Sequence, residues 1–365
     1  MLLNMCMGNH HKSAVSARCQ RAAAAMVCLS LMMAFAIPAA CQANGELEDY
    51  FKRSVGFGQE EIVGIRGGQA VAKVMKSRTL REIFVIGAVY IKATPEAYIR
   101  FANDFDRLRK LPEFLAIGKF SDPPQLNDLE GFRFDSDDIK ALKECRPHDC
   151  EVQIPAEAIE DIHQSVNWNA PNVDRELTEH LHRRVITGLQ AYRQTGNQAL
   201  GVYADKENPT DVAKQFEYML SYARALPEYV PELHRYLLGY PNVKSVNIQD
   251  TFYWSKVKFG LKPTLRIVQL ITWKGRSNEP AYAVAEKQLY SSHYFETALD
   301  LTFCIRSLGP KHPGFYLIKA MGSEQAGLTG FKGSFVRRVA VDRTASSLEK
   351  SLTSIKNTLE REFTP

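Results

Sequence analysis

Apolar residues alternate with period two between Arg81 and Lys92, where Ile83, Val85, Gly87, Val89 and Ile91 fall on one side, and Ala70 to Met75 is similarly rich in valine. Both stretches read as strands, because a strand sends successive side chains to opposite faces. Thr94 then precedes Pro95-Glu96-Ala97, which supplies an N-cap hydroxyl, a proline at the first helical position and an acid in the first turn. Together these predict a helix over 95–103. A second short helix is expected at 104–111, stopped by Pro112, and a strand from Phe114 to Phe120, ended by Asp122-Pro123-Pro124.

The middle of the chain changes to helical spacing. Asp135 can cap a turn through Ile139 and Leu142, and Pro155 opens a segment carrying Ile159 and Ile162. From Asn172, apolar positions at Val173, Leu177, Leu181, Val185, Leu189 and Tyr192 recur at helical intervals until Gly196. Two further helices are expected over 210–225 and 228–238, each bounded by proline. From Val243 the pattern returns to strands: Thr251–Phe259, Leu265–Lys274, Ala281–Phe303 and Gly314–Ala320. The connections at Gly260–Pro263, Gly275–Pro280 and Gly309–Gly314 are hairpin-sized, which suits an antiparallel meander. A last helix begins near Gly333, and its stripe of Val336, Val339, Leu348, Leu352, Ile355 and Leu359 needs an apolar surface to lie on.

Strand, two short helices opening at Ala93-Thr94-Pro95-Glu96-Ala97, a run of antiparallel strands and a long terminal helix: this order resembles the START-like helix-grip superfamily. The resemblance spans 70–120 and 243–363 and is topological. It implies an α+β fold in which a curved antiparallel sheet packs on the C-terminal helix, with an apolar cavity between them and a helical insertion in the middle. It also implies a hydrophobic small molecule or lipid as partner, and transfers no catalytic residue. On this reading the chain divides into a signal peptide at 1–43, an N-terminal extension at 44–69, a first helix-grip part at 70–134, the insertion at 135–242 and a second helix-grip part at 243–365.

The leader rests on its own pattern. Lys12, Arg18 and Arg21 stand without any acid ahead of the uncharged apolar run from Ala22 to Ile37. That run is shorter than the roughly 20 residues of a membrane span, as in a secretory signal. Small residues Cys41 and Ala43 suit cleavage after Ala43, and Cys41 also leaves a lipoprotein open. The expected location is therefore outside the cytoplasm, periplasmic or envelope-associated. Three of the 46 basic residues belong to this leader, so against 41 acids the remainder is nearly neutral and nucleic acid is not an implied partner. Of seven cysteines, only Cys145, Cys150 and Cys304 lie beyond it, and Cys145 and Cys150 are expected to close a short disulfide loop. One imidazole, His148, between two sulfurs is too few ligands for zinc.

Catalytic and cofactor signatures are missing. Gly56-Phe57-Gly58 has Glu61 where a dinucleotide loop needs its third glycine, and no phosphate loop or Gly-x-Ser-x-Gly elbow occurs, so neither cofactor nor metal is expected. His180 and His182 point to different helix faces. The polar and aromatic run Glu286 to Glu296 stands out within the strands. On period two, Glu286, Gln288 and Tyr290 share one face, and Lys287, Leu289 and His293 the other. In a helix-grip cavity such groups would orient a ligand's polar end, with Tyr253 or Trp254, Lys256, Arg266 and Trp273 from neighbouring strands. The candidate ligand-binding set is Trp254, Lys256, Arg266, Glu286, Tyr290 and His293. Two alternatives stay open: an enzyme for a hydrophobic substrate with His293 as general base beside Glu286 or Tyr290, and a module whose residues 135–240 dock a protein. Lys73, Lys76, Arg78 and Arg81 could also touch anionic lipid heads.

Overall fold

The computed structural model describes residues 39–259, 262–276, 280–307, 313–325, 328 and 330–363. Most of the leader therefore lies outside the described residues. Helices α1 (Ala39–Tyr50) and α2 (Gln59–Arg66) precede β1 (Val71–Val74) and β2 (Glu82–Ile91). Helices α3 (Pro95–Ala102) and α4 (Phe105–Leu108) lead into β3 (Phe114–Lys119). The Thr94 hydroxyl accepts from the Ala97 amide at 3.3 Å, so the expected cap is made.

Between β3 and the next strand of the main sheet lies the insertion. It holds α5 (Ser136–Glu144), α6 (Ala156–Ser165), α7 (Val173–Thr195), a small hairpin of β4 (Val202–Tyr203) and β5 (Thr210–Asp211), then α8 (Val212–Tyr222), α9 (Ala225–Tyr229) and α10 (Pro231–Gly239). Gly196, with φ at 64°, stops α7, and a Cβ there would lie 1.8 Å from the Tyr240 carbonyl oxygen. Only glycine can sit so close to that backbone. Strands β6 (Ile248–Phe259), β7 (Lys262–Lys274), β8 (Tyr282–Ser291), β9 (Phe295–Arg306) and β10 (Phe315–Gln325) follow, and α11 (Gly330–Phe363) closes the chain.

The main sheet has eight strands in the order β1-β2-β10-β9-β8-β7-β6-β3, and its pairs are antiparallel. The chain is thus an α+β protein with an antiparallel sheet, a long C-terminal helix and a helical insertion. One difference from the sequence pattern is local. Ala281–Phe303 is two strands, because Ser292, His293 and Tyr294 turn the chain, with Tyr294 at φ 66°.

Each face of the sheet has its own core. On one face, Ile83, Val85, Val89, Val268, Leu270, Val284, Phe315 and Leu317 share one core with Leu348, Leu352 and Leu359 of α11. Each such buried leucine contributes roughly 2 kcal/mol. The helix crosses β2 and β1, and Gly87 allows its close approach, since a Cβ there would meet Leu352 Cδ1 at 2.8 Å. On the other face, Ile86, Ile267, Ile271, Trp273, Leu299, Leu301 and Phe303 pack under insertion residues including Leu189, Phe216 and Leu233, with α1 and α2 adding Leu47 and Ile65. A third cluster, holding Leu142, Ile159, Leu177 and the Cys145–Cys150 disulfide, belongs to the insertion alone.

Candidate functional site

The α11 side of the sheet is not apolar throughout. In mid-sheet, Glu286 of β8 stands directly across from Asp300 of β9. Like charges in that register repel. Lys319 of β10 resolves the conflict, its Nζ 3.5 Å from Glu286 Oε1 and 3.5 Å from Asp300 Oδ2. The Tyr253 hydroxyl of β6 donates to Glu286 Oε2 at 3.2 Å. Arg266 of β7 acts on both carboxylates, and its buried Nε has no hydrogen-bond partner among the described residues.

These groups sit deep in the molecule yet are not sealed. Glu286 keeps 28% of its side-chain exposure and Asp300 and Lys319 each keep 17%. Central strands of a sheet covered by a packed core would be drier, so the face between sheet and α11 holds space that water reaches. Burial raises both carboxyls in principle, but the Lys319 and Arg266 charges outweigh it at Glu286, which is held below its ordinary value. At Asp300 burial prevails and the carboxyl is raised. Burial would lower the Lys319 ammonium, yet Glu286 and Asp300 hold it above its usual range. Tyr98, from α3, is pushed up to about 12, chiefly by burial. Two cations thus face two carboxylates, and the cluster is balanced in charge.

Of the six residues singled out from sequence, only Arg266 and Glu286 come together here. Trp254 points to the insertion side, where its Nε1 donates to the Asp128 carbonyl at 2.7 Å and its indole lies over Gly118. Lys256 reaches Asp135 at 2.5 Å and the Arg133 carbonyl at 3.0 Å, pinning the start of the insertion. The β7–β8 register slips between Ile267 and Val268, so Tyr290 leaves the face of Glu286, and its hydroxyl donates to the Gln153 carbonyl at 3.1 Å. A bulge of this kind defeats period-two counting. His293 is 5% exposed in the β8–β9 turn, with Nε2 at 3.1 Å from Asp138 Oδ1, and the Gln153 side chain bonds the Ser291 and Phe295 carbonyls nearby.

Sequence reasoning missed Asp300 and Lys319. Their signal was a single charge inside each of two apolar runs, Ala298–Phe303 and Phe315–Met321. The basic residues near the start of the sheet are largely turned inward. Arg78 pairs with Glu82 beneath Tyr218 and Tyr222, Arg81 pairs with Glu296, and Lys73 bonds the Gly56 carbonyl.

A hollow opens on the insertion side. It is a half-open cleft of about 230 Å³ lined by Phe134, Leu181, Val185, Leu189, Ile267 and Tyr290, among others. Behind its inner wall, at Tyr192 and Leu289, lies the fully buried Lys287. Its Nζ donates to the Tyr192 hydroxyl at 2.9 Å and to Asn197 Oδ1, over the Phe216 ring. Among the described residues no group of three or more His, Cys, Asp or Glu side chains is placed to hold a metal ion, and no helix is long and apolar enough to cross a membrane. His180 instead meets Asp161 at 2.8 Å, and His182 the Phe132 carbonyl at 2.7 Å. The free thiol Cys304 is buried, which raises its pKa well above the ordinary value and leaves it a poor nucleophile.

No protein-family model matches this chain, and no curated protein matches it.

Proposed function

We propose that the protein is an exported binder of an apolar or amphipathic ligand such as a lipid, held between the sheet and α11 in the manner of the START-like helix-grip proteins it resembles. The observation that carries this reading is the partly exposed trio of Glu286, Asp300 and Lys319, with Arg266 acting on its carboxylates, on a face whose core is apolar. A few fixed polar groups in an apolar hollow are what orients such a ligand. The charge balance narrows the ligand further. An ionic head would leave one charge of the cluster uncompensated in a poorly solvated place. An uncharged acceptor, a carbonyl or hydroxyl oxygen, meets the cluster without that cost. The disulfide and the lack of a spanning helix among the described residues are compatible with export, and the periplasm or envelope is the compartment proposed.

The test is native mass spectrometry of the mature chain purified gently from its own envelope, followed by organic extraction. A discrete apolar compound that is lost from Lys319→Met supports the reading; empty wild-type protein that also ignores a lipid panel overturns it. The interaction-module reading draws support from Tyr222, Tyr229 and Leu238 on the insertion and from Val246 just after it, which are 42–100% exposed. Pull-down with a charge substitution at Leu238 would separate it from ligand binding.

A further inference from the structure

We propose that the first turns of α11, with the Ser77–Arg81 turn beside them, form a docking surface for an anionic lipid bilayer. The helical stripe predicts that Val336 should be covered, but it is 51% exposed, next to Phe335 at 73%. Leu80, at 65%, is the third large apolar side chain of the patch. Arg337 holds the two segments together: its Nε donates to the Leu80 carbonyl at 3.1 Å and a terminal nitrogen to Ser77 Oγ at 2.7 Å. The patch is therefore a fixed feature of the fold.

Its surroundings choose the occupant. Lys76, Arg338 and Arg343 are exposed on the same two segments, and none is in an ion pair with a described residue. Asp342 is the acid among them. Apolar side chains that can enter the acyl boundary, ringed by cations that meet headgroups, are the two signals that together hold a protein on an anionic membrane. A protein partner or second copy would need more apolar area than the three exposed side chains among the described residues supply. This docking stands apart from the ligand reading, because an empty protein would dock as well.

The experiment is flotation of the full mature chain with phosphatidylglycerol-rich and with pure phosphatidylcholine vesicles, at low and high salt. Binding should require the anionic lipid and weaken with salt. Arg338→Gln and Arg343→Gln should each weaken it roughly fivefold. Phe335→Glu and Leu80→Glu should weaken it at least about tenfold. Leu115→Glu, on edge strand β3 and 52% exposed, is the control and should bind as wild type. Circular dichroism confirms that each variant is folded. Failure of wild type to float with anionic vesicles, equal flotation of the Phe335 variant, or concentration-dependent dimerisation abolished by Phe335→Glu in the absence of flotation would each overturn the proposal.

Discussion

Lys287 sets up a sharp test of how the insertion is held on the sheet. Its side chain is 1% exposed, and the groups that meet its Nζ are neutral: Tyr192 of α7, Asn197 of the turn that follows and Phe216 of α8. The nearest anion is reached only through a relay, in which the Tyr192 hydroxyl donates to Gln269 Oε1 at 2.7 Å and Gln269 Nε2 donates to Asp250 at 2.7 Å. Burial pushes the ammonium down from 10.5 to about 7. Between those two pH values the unfolded chain binds a proton that the folded protein does not. Stability should therefore rise with pH across that window, by up to about 1.4 kcal/mol per pH unit, and the full cost, on the order of 4 kcal/mol, is present below pH ~7. Lys287→Met removes that cost but leaves Asn197 Oδ1 without its donor, a loss of about 1–3 kcal/mol. The variant should be more stable than wild type at pH ~6, by about 1–3 kcal/mol, and less stable above pH ~9. Urea unfolding followed by tryptophan fluorescence reads this directly, since Trp254 and Trp273 are buried on the insertion side. Lys287→Arg, which cannot shed its proton, should be destabilised throughout. Parallel stability curves for wild type and Lys287→Met between pH ~7 and ~9 would refute the reasoning, because they would mean that the relay to Asp250 already compensates the charge.

Other perturbations separate architecture from function. Gly87→Val places methyl groups where Leu348 and Leu352 already lie, and should lower stability by about 1–3 kcal/mol in thermal unfolding, with α11 displaced. His293→Ala leaves buried Asp138 unpaired and should cost about 3 kcal/mol, while ligand occupancy by native mass spectrometry stays unchanged; lost occupancy in a folded variant would restore His293 as a site residue. Cys145→Ser with Cys150→Ser opens a loop of sequence separation 5 and should lower the unfolding free energy by about 2 kcal/mol.

What the sequence makes legible is what local chemistry specifies. Thr94-Pro95-Glu96 caps a helix wherever it stands, and Gly196 ends α7 because its backbone meets Tyr240. The strand, helix pair and meander order follows from such signals, and so does the Cys145–Cys150 bridge. Facing is another matter. Tyr290 and Glu286 count onto one side of β8, and one slip of register between Ile267 and Val268 parts them. Trp254 and Lys256 lie on strand β6 as expected, but on the face that the insertion covers. The Arg266–Glu286–Asp300–Lys319 cluster draws on four strands, and its assembly depends on sheet order, which no local pattern encodes. Val336 shows the converse: its spacing marks it for the core, yet it is exposed near the start of the helix.

Lys287 and Lys319 stand two strands apart and point to opposite faces of one sheet, and the contrast between them argues which face was built to hold something. Lys287 has neutral partners, 1% exposure and a lowered pKa, which is what results when helices pack over a cation. Lys319 has two carboxylates at 3.5 Å and keeps 17% of its surface. Those distances are longer than charge-assisted hydrogen bonds prefer. A cluster whose charges balance but whose contacts are loose can exchange water for a ligand oxygen without breaking a strong bond. Titrating a small uncharged ketone into the protein should therefore shift the side-chain resonances of Arg266 before those of Lys287, and the reverse order would place the working hollow on the insertion side.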